Sequence, residues 1–99
     1  MKTAYCDAIL QAFEYVMEAD PKCLCIGQGL WRPWFVGRSM DGLDKRFGRE
    51  RVIDTPVSEN ATTAAAVGAA LNGYRPIVIH PRMDFMILAA DAMVNQAAK

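Results

Sequence analysis

The 99-residue chain lacks the features that mark several common classes of protein. Its eleven basic residues only balance its eleven acidic ones, so it has no excess positive charge with which to attract nucleic acid or an anionic membrane. No apolar run approaches the roughly 20 residues that a membrane-spanning helix needs. The amino terminus has no long apolar core before a small-residue cleavage site. We therefore expect a cytoplasmic protein with neither nucleic-acid nor membrane partners.

Cysteine and histidine are also scarce. The three cysteines are Cys6, Cys23 and Cys25, and one residue separates the last two, whereas zinc and redox pairs usually leave two or more. We predict reduced, mostly buried cysteines and no metal site. The only histidine, His80, has no sequence neighbour that fixes its tautomer, and we expect it to hydrogen-bond a loop carbonyl.

The order of the predicted elements is typical of an α/β fold with a parallel sheet. Hydrophobic spacing and stop signals predict helices over residues 3–18, 41–47, 58–72 and 85–98, with Thr3, Asp41 and Ser58 as N-caps. Short apolar runs predict strands over 23–26, 52–53 and 76–80, the last of them fully buried. The final helix has no strand after it, so we expect a partial, truncated three-layer sheet.

Two stretches predict tight packing. The loop from Gly27 to Met40 carries Trp31, Trp34 and Phe35, a bulky cluster that we expect to pack against the domain or a partner. The helix over 58–72 carries a face of small residues that would allow another backbone to approach closely: Ala64, Ala65, Gly68 and Ala69.

Polar residues gather in the loops that follow the three strands: Gln28, Asp54, Glu59, His80, Arg82 and Asp84. Because parallel strands end at one edge of a sheet, we expect these loops to meet there and to form a candidate site. Glu59 stands in the first turn of a helix, directly after a strand and a turn. An acidic residue at that position also stabilises the helix dipole by about 0.3–1 kcal/mol, so position alone leaves a structural role open.

Three stretches carry a resemblance to a known family: RVIDTPVSEN (51–60), AVGAALNGYRPI (66–77) and DFMILAADAMVNQAAK (84–99). They resemble the β subunit of the thiamine-diphosphate-dependent decarboxylating component of pyruvate and branched-chain 2-oxo-acid dehydrogenase complexes. Asp-Thr-Pro followed by a hydrophobic residue, Ser and Glu is a specific signature there. The resemblance implies that residues 1–99 are the N-terminal part of a transketolase-like pyrimidine-binding domain.

The resemblance also implies roles for three residues. Glu59 matches a glutamate that hydrogen-bonds a ring nitrogen of the cofactor's aminopyrimidine and favours the imino form that acts as a general base. Phe85 matches a ring that stacks on the aminopyrimidine. Gln28 stands where the family commonly has a glutamate, and it can hydrogen-bond the cofactor but cannot hold a charge. The chain has no Gly-Asp-Gly motif for Mg²⁺ and diphosphate, which we expect on a partner α subunit.

Three hypotheses stay open at this point. The chain is part of a 2-oxo-acid dehydrogenase β subunit, part of another thiamine-diphosphate enzyme such as acetoin dehydrogenase or a transketolase-like enzyme, or a non-catalytic module that kept the fold. Glu59 and Phe85 favour the first two, whereas Gln28 and the altered loop over 80–84 favour the last two. An open strand edge invites association, so we also expect a homo-oligomer.

Overall fold

The computed structural model describes residues 4–32 and 38–98, in which a parallel three-stranded sheet carries helices on both faces, as the sequence predicted. The strands are β1 (Cys23–Gln28), β2 (Val52–Thr55) and β3 (Arg75–Ile79). The α-helices are α1 (Tyr5–Ala19), α2 (Leu43–Phe47), α3 (Glu59–Leu71) and α4 (Met83–Met86). A 3₁₀ turn (Ile87–Ala89) and a π-helical stretch (Ala92–Ala97) follow α4.

The register of the sheet brings the carboxyl ends of all three strands to one level. β1 lies in the centre, between β2 and β3. Gln28 pairs with Thr55 across one side, and Gly27 pairs with Ile79 across the other. The residues that follow the strands therefore meet at one edge, which confirms the convergence that the sequence predicted.

The central strand is buried on both faces. Cys23 and Cys25 point into one core with α1, and Leu24 and Ile26 point into a second core with Ala66 of α3. This alternation, with both sides apolar, is what a parallel strand covered by helices on both faces requires.

The prediction that the third strand is fully buried is wrong. Arg75 is exposed, and the rest of β3 from Pro76 to Ile79 is only half-buried. The reason is its place in the described sheet, where β3 is an edge strand with β1 as its only neighbour. Apolar composition alone does not separate an edge strand from a central one.

Of the predicted N-caps, Ser58 is confirmed in position and Asp41 is wrong. Gly42, in the left-handed region at φ 76°, precedes α2, so Asp41 is not its N-cap. Ser58 does precede α3, but its side chain makes no capping hydrogen bond. Thr3 lies outside the described residues.

The last predicted helix is helical but not regular. It begins at Met83 and changes from α to 3₁₀ to π geometry. At the start of the π stretch, the N–H of Ala92 donates to the side-chain oxygen of Asn60 at 3.1 Å. A donor that bonds a side chain is diverted from the carbonyl four residues earlier, which explains why the α pattern does not continue there.

The small-residue face of α3 has no backbone packed against Gly68 in the described part of the chain. A Cβ built at Gly68 would meet nothing within 4 Å, and Ala64 and Ala65 are exposed. The predicted close approach is therefore wrong for these residues. By contrast, the predicted packing of Trp31 is confirmed, because its Nε1–H donates to the carbonyl of Val52 at 2.7 Å. Trp34 and Phe35 lie outside the described residues.

The predicted burial is confirmed for two of the three cysteines. All three are free thiols, Cys23 and Cys25 are buried, and no group of potential metal ligands occurs within residues 4–32 and 38–98. In the same ranges no helix is long and apolar enough to cross a membrane.

The thiol of Cys25 is expected to resist alkylation in the folded protein. Burial raises its pKa from the ordinary 9.0 to about 12, with the neighbouring Cys23 adding to the rise. The thiolate is the reactive form, so at pH 8 folding lowers its population about a thousandfold. Iodoacetamide labelling followed by mass spectrometry is expected to modify Cys25 at least a hundredfold faster in urea than in buffer. Equal rates would show that this core is open.

Candidate functional site

Loops from all three strands and the start of α3 line a cleft at the carboxyl edge of the sheet, which we call the Glu59 cleft. Its lining consists of backbone, hydroxyl, amide, carboxylate and imidazole groups from Gly27, Gln28, Thr55, Ser58, Glu59, Thr62, Ile79 and His80. The structure thus brings together Gln28, Glu59 and His80, three of the polar residues that the sequence predicted to converge.

Glu59 opens α3 directly after the turn that follows β2. The side chain is half-buried and makes no hydrogen bond or ion pair with any other residue in the described ranges. Its carboxylate benefits from the partial positive charge at the helix N-terminus, which stabilises an anion there. A half-buried carboxylate without a protein partner is free to accept hydrogen bonds from a ligand.

Gln28 is the more unusual group, because it is only 9% exposed. Its side-chain amide has no hydrogen-bond partner among the described residues, and no fully buried side-chain nitrogen or oxygen there lacks a partner, so the amide atoms of Gln28 reach solvent. The amide lines the same cleft as the carboxylate of Glu59. An unpartnered donor and acceptor pair at the wall of a cleft is the arrangement expected of a ligand-binding residue.

The remaining polar groups of the cleft are tied to α3. The hydroxyl of Thr62 donates to the hydroxyl of Thr55 at 3.3 Å, and the Nε2 of His80 lies 3.4 Å from the hydroxyl of Thr63. Thr62 and Thr63 are both buried, so these contacts hold the helix against the ends of β2 and β3. The expectation that His80 bonds a loop carbonyl is wrong. Its partner is a side chain of α3, and the separation of the two residues along the sequence did not indicate this contact.

The cleft is small, with a volume of about 10 Å³, which is room for one water molecule. A heterocyclic ring is too large to be enclosed in it. A neighbouring cleft of about 360 Å³ shares Gln28 and Thr55 and is also lined by Trp31, Arg32 and Asp54. The edge of the sheet therefore carries two adjoining clefts.

Other predicted site residues have different surroundings. Asp54 accepts a hydrogen bond from the N–H of Gly29 at 2.6 Å, so it fixes the loop after β1. Arg82 and Asp84 form an exposed ion pair at 3.3 Å, worth about 0–1 kcal/mol. Phe85 is half-buried with the guanidinium of Arg82 5.7 Å from its ring centre. The ring is not among the described residues that line the Glu59 cleft.

The chain matches a known protein family along its whole length. The family model described as "Transketolase, pyrimidine binding domain" matches residues 1–99. The chain is 38% identical over 96 residues to the 2-oxoisovalerate dehydrogenase subunit beta of Bacillus subtilis, which covers 97% of this chain and 29% of that protein. It is also 38% identical over 93 residues to the mitochondrial pyruvate dehydrogenase E1 component subunit beta of Homo sapiens, covering 94% and 26% respectively.

A third relative gives the same picture. The pyruvate dehydrogenase E1 component subunit beta-1 of Arabidopsis thaliana is 37% identical over 93 residues, which is 94% of this chain and 26% of that protein. The chain thus spans about a quarter of the length of the curated relatives it matches. These relatives are named as beta subunits and give no support to the homo-oligomer that the sequence predicted.

Proposed function

Because the chain belongs to the transketolase pyrimidine-binding-domain family, we propose that it binds the aminopyrimidine ring of thiamine diphosphate at the Glu59 cleft. In this proposal the chain is the N-terminal part of a pyrimidine-binding domain in a 2-oxo-acid dehydrogenase β subunit. The observation that carries it is that the carboxylate of Glu59 and the side-chain amide of the mostly buried Gln28 line one cleft, both without partners in the described structure.

The residues present fit an aminopyrimidine. Such a ring has nitrogen acceptors and an exocyclic amine donor along one edge, and an amide and a carboxylate offer the complementary groups. Glu59 accepts a hydrogen bond from a protonated ring nitrogen, and its place in the first turn of α3 is one that favours an acidic side chain. Gln28 offers a second, neutral hydrogen bond. Phe85 is assigned the stacking face on the family resemblance alone.

When bound, thiamine diphosphate supplies the nucleophilic carbon and the electron sink for decarboxylation of a 2-oxo acid. The part of this chain is to orient the ring and to hold a proton at its nitrogen through Glu59. The cleft holds only about one water molecule, so a bound ring keeps one side uncovered. We propose that an α subunit covers that side and carries the diphosphate and Mg²⁺.

The names of the relatives favour the first of the three hypotheses. The relatives compared above are subunits of 2-oxoisovalerate and pyruvate dehydrogenases. The intact Glu59 favours a cofactor-binding domain over a module that kept only the fold. The neutral Gln28 leaves Glu59 as the one carboxylate among the described residues that line the cleft.

Calorimetric titration tests the proposal. Replacing Glu59 with glutamine is expected to weaken binding of thiamine diphosphate to the chain about tenfold, or about 1.4 kcal/mol, because a charge-assisted hydrogen bond is lost. Glu50→Gln is the matched control, since Glu50 is exposed in the turn before β2, at the amino-terminal end of that strand. It is expected to bind as the wild-type chain does.

A second titration tests whether this chain contacts only the pyrimidine half of the cofactor, which makes it a half-site. Thiamine without diphosphate or Mg²⁺ is expected to bind the isolated chain within threefold of the complete cofactor, because this chain contacts only the pyrimidine. Affinity that depends on Mg²⁺ would contradict the half-site. Equal binding by the wild-type chain and Glu59→Gln, or no binding by either, would overturn the proposed function itself.

A further inference from the structure

His80 is a polar group of the Glu59 cleft to which neither the family resemblance nor the proposed function gives a role. It follows β3, whereas Glu59 follows β2, and these strands lie on opposite sides of β1. Glu59 and His80 therefore reach the cleft from the two outer strands, with Gln28 of the central strand between them.

The ring of His80 is held by one nitrogen. Its Nε2 lies 3.4 Å from the hydroxyl of Thr63, which is 6% exposed and belongs to α3 one turn after Glu59. Each nitrogen of an imidazole makes one in-plane hydrogen bond, as donor or as acceptor. The contact with Thr63 uses Nε2 and leaves Nδ1 without a partner among the described residues.

We propose that His80 is a further ligand-binding residue of this cleft, and that its Nδ1 hydrogen-bonds the polar edge of the aminopyrimidine that Glu59 holds. The inference rests on the proposed function. Thr63 is then a positioning residue, because it fixes the plane of the imidazole and with it the direction of Nδ1. The ring nitrogens and the exocyclic amine of the ligand provide either an acceptor or a donor, so both neutral tautomers of His80 satisfy the arrangement.

Two conservative substitutions separate ligand binding from support of the fold. The amide of a glutamine reaches the position of Nε2, so His80→Gln keeps a partner for Thr63 and loses the group at Nδ1. The shorter amide of an asparagine occupies the position of Nδ1, so His80→Asn keeps the group for the ligand and loses the contact with Thr63. If His80 binds the ligand, His80→Asn binds it more tightly than His80→Gln does. If the role of His80 is purely structural, His80→Gln is the better tolerated of the two.

The experiment measures affinity for thiamine diphosphate with Mg²⁺ by calorimetry and the thermal midpoint of the same samples without ligand. We expect His80→Gln to weaken binding three- to tenfold at an unchanged midpoint, because one hydrogen bond is lost. His80→Asn is expected to bind within threefold of the wild-type chain and to melt at a lower temperature. Thr63→Val is expected to weaken binding by less than His80→Gln.

The outcomes distinguish this inference from the proposed function. If Glu59→Gln weakens binding while His80→Gln and His80→Asn both bind like the wild-type chain, His80 has no contact with the ligand and only this inference fails. Weaker binding by His80→Asn than by His80→Gln, in step with the thermal midpoints, would show a structural role and also overturn it. If the wild-type chain does not bind, or Glu59→Gln makes no difference, the proposed function fails and this inference fails with it.

Discussion

Replacing Arg51 with methionine is expected to lower the free energy of unfolding by about 3–5 kcal/mol. Its guanidinium donates to three backbone carbonyls, those of Met17 at 2.6 Å, Asp20 at 2.8 Å and Cys23 at 2.9 Å. The first two belong to the end of α1, where the last carbonyls of a helix have no partner within the helix and favour a cation. One side chain therefore joins α1 to β1 and to the start of β2.

The expected loss of stability arises because methionine cannot donate the hydrogen bonds that Arg51 makes. Three carbonyl acceptors lose a charged donor, and each hydrogen bond to a charged group contributes about 1.5–3 kcal/mol, less where water reaches the half-buried site. Arg51→Lys is expected to fall between methionine and the wild-type residue, because an ammonium keeps the charge but not the planar fork of donors. The measurement is urea unfolding followed by circular dichroism.

Arg38→Met is the matched control, since Arg38 is exposed and pairs with Asp7 at 3.2 Å. An exposed ion pair contributes about 0–1 kcal/mol. If the two methionine variants lost the same amount of stability, the carbonyl contacts of Arg51 would contribute nothing beyond an ordinary surface arginine.

Replacing Gly27 with alanine is expected to destabilise the chain by about 3 kcal/mol. A Cβ at Gly27 would lie 2.5 Å from the carbonyl oxygen of Ile79 and 3.2 Å from its Cβ. The carbonyl belongs to the backbone of β3, so the strand itself has to move. Because His80 follows Ile79 directly, the movement is also expected to weaken ligand binding at the cleft.

The same substitution at Gly68 is expected to stabilise the chain. Gly68 lies inside α3 with nothing within 4 Å of the position of a Cβ, so alanine relieves the entropic cost of glycine in a helix. We expect a gain of about 0.5–1 kcal/mol. Thermal unfolding of both variants checks the pair, and a stable Gly27→Ala chain would show that β1 and β3 are less closely packed than described.

The sequence predicted the part of the site that depends on chain topology. Strands that run parallel end at one edge, so residues directly after them converge whatever the details of packing. That reasoning placed Gln28, Glu59 and His80 together, and the structure confirms it. The three strands and four helical segments were predicted for the same reason, because their hydrophobic periods and stop residues are local signals.

Contacts between distant side chains were beyond prediction from sequence. The partner of His80 is Thr63 because α3 packs beside the end of β3. The separation of the two residues along the sequence does not predict that packing. The same holds for Arg51, whose three carbonyl acceptors lie more than 25 residues away. The order of the strands and the exposure of β3 were likewise hidden, because an edge strand and a central strand share the same apolar composition.

The most direct test of the central claim is a map of where the pyrimidine binds. Titrating thiamine into the ¹⁵N-labelled chain and following its amide signals is expected to shift residues around Gln28, Glu59 and His80, and to leave α1 unperturbed. The same titration of Glu59→Gln is expected to require about ten times more ligand for the same shifts. Shifts confined to another cavity, such as the one of about 130 Å³ beside Leu30, Met40 and Lys45, would contradict a pyrimidine site at Glu59.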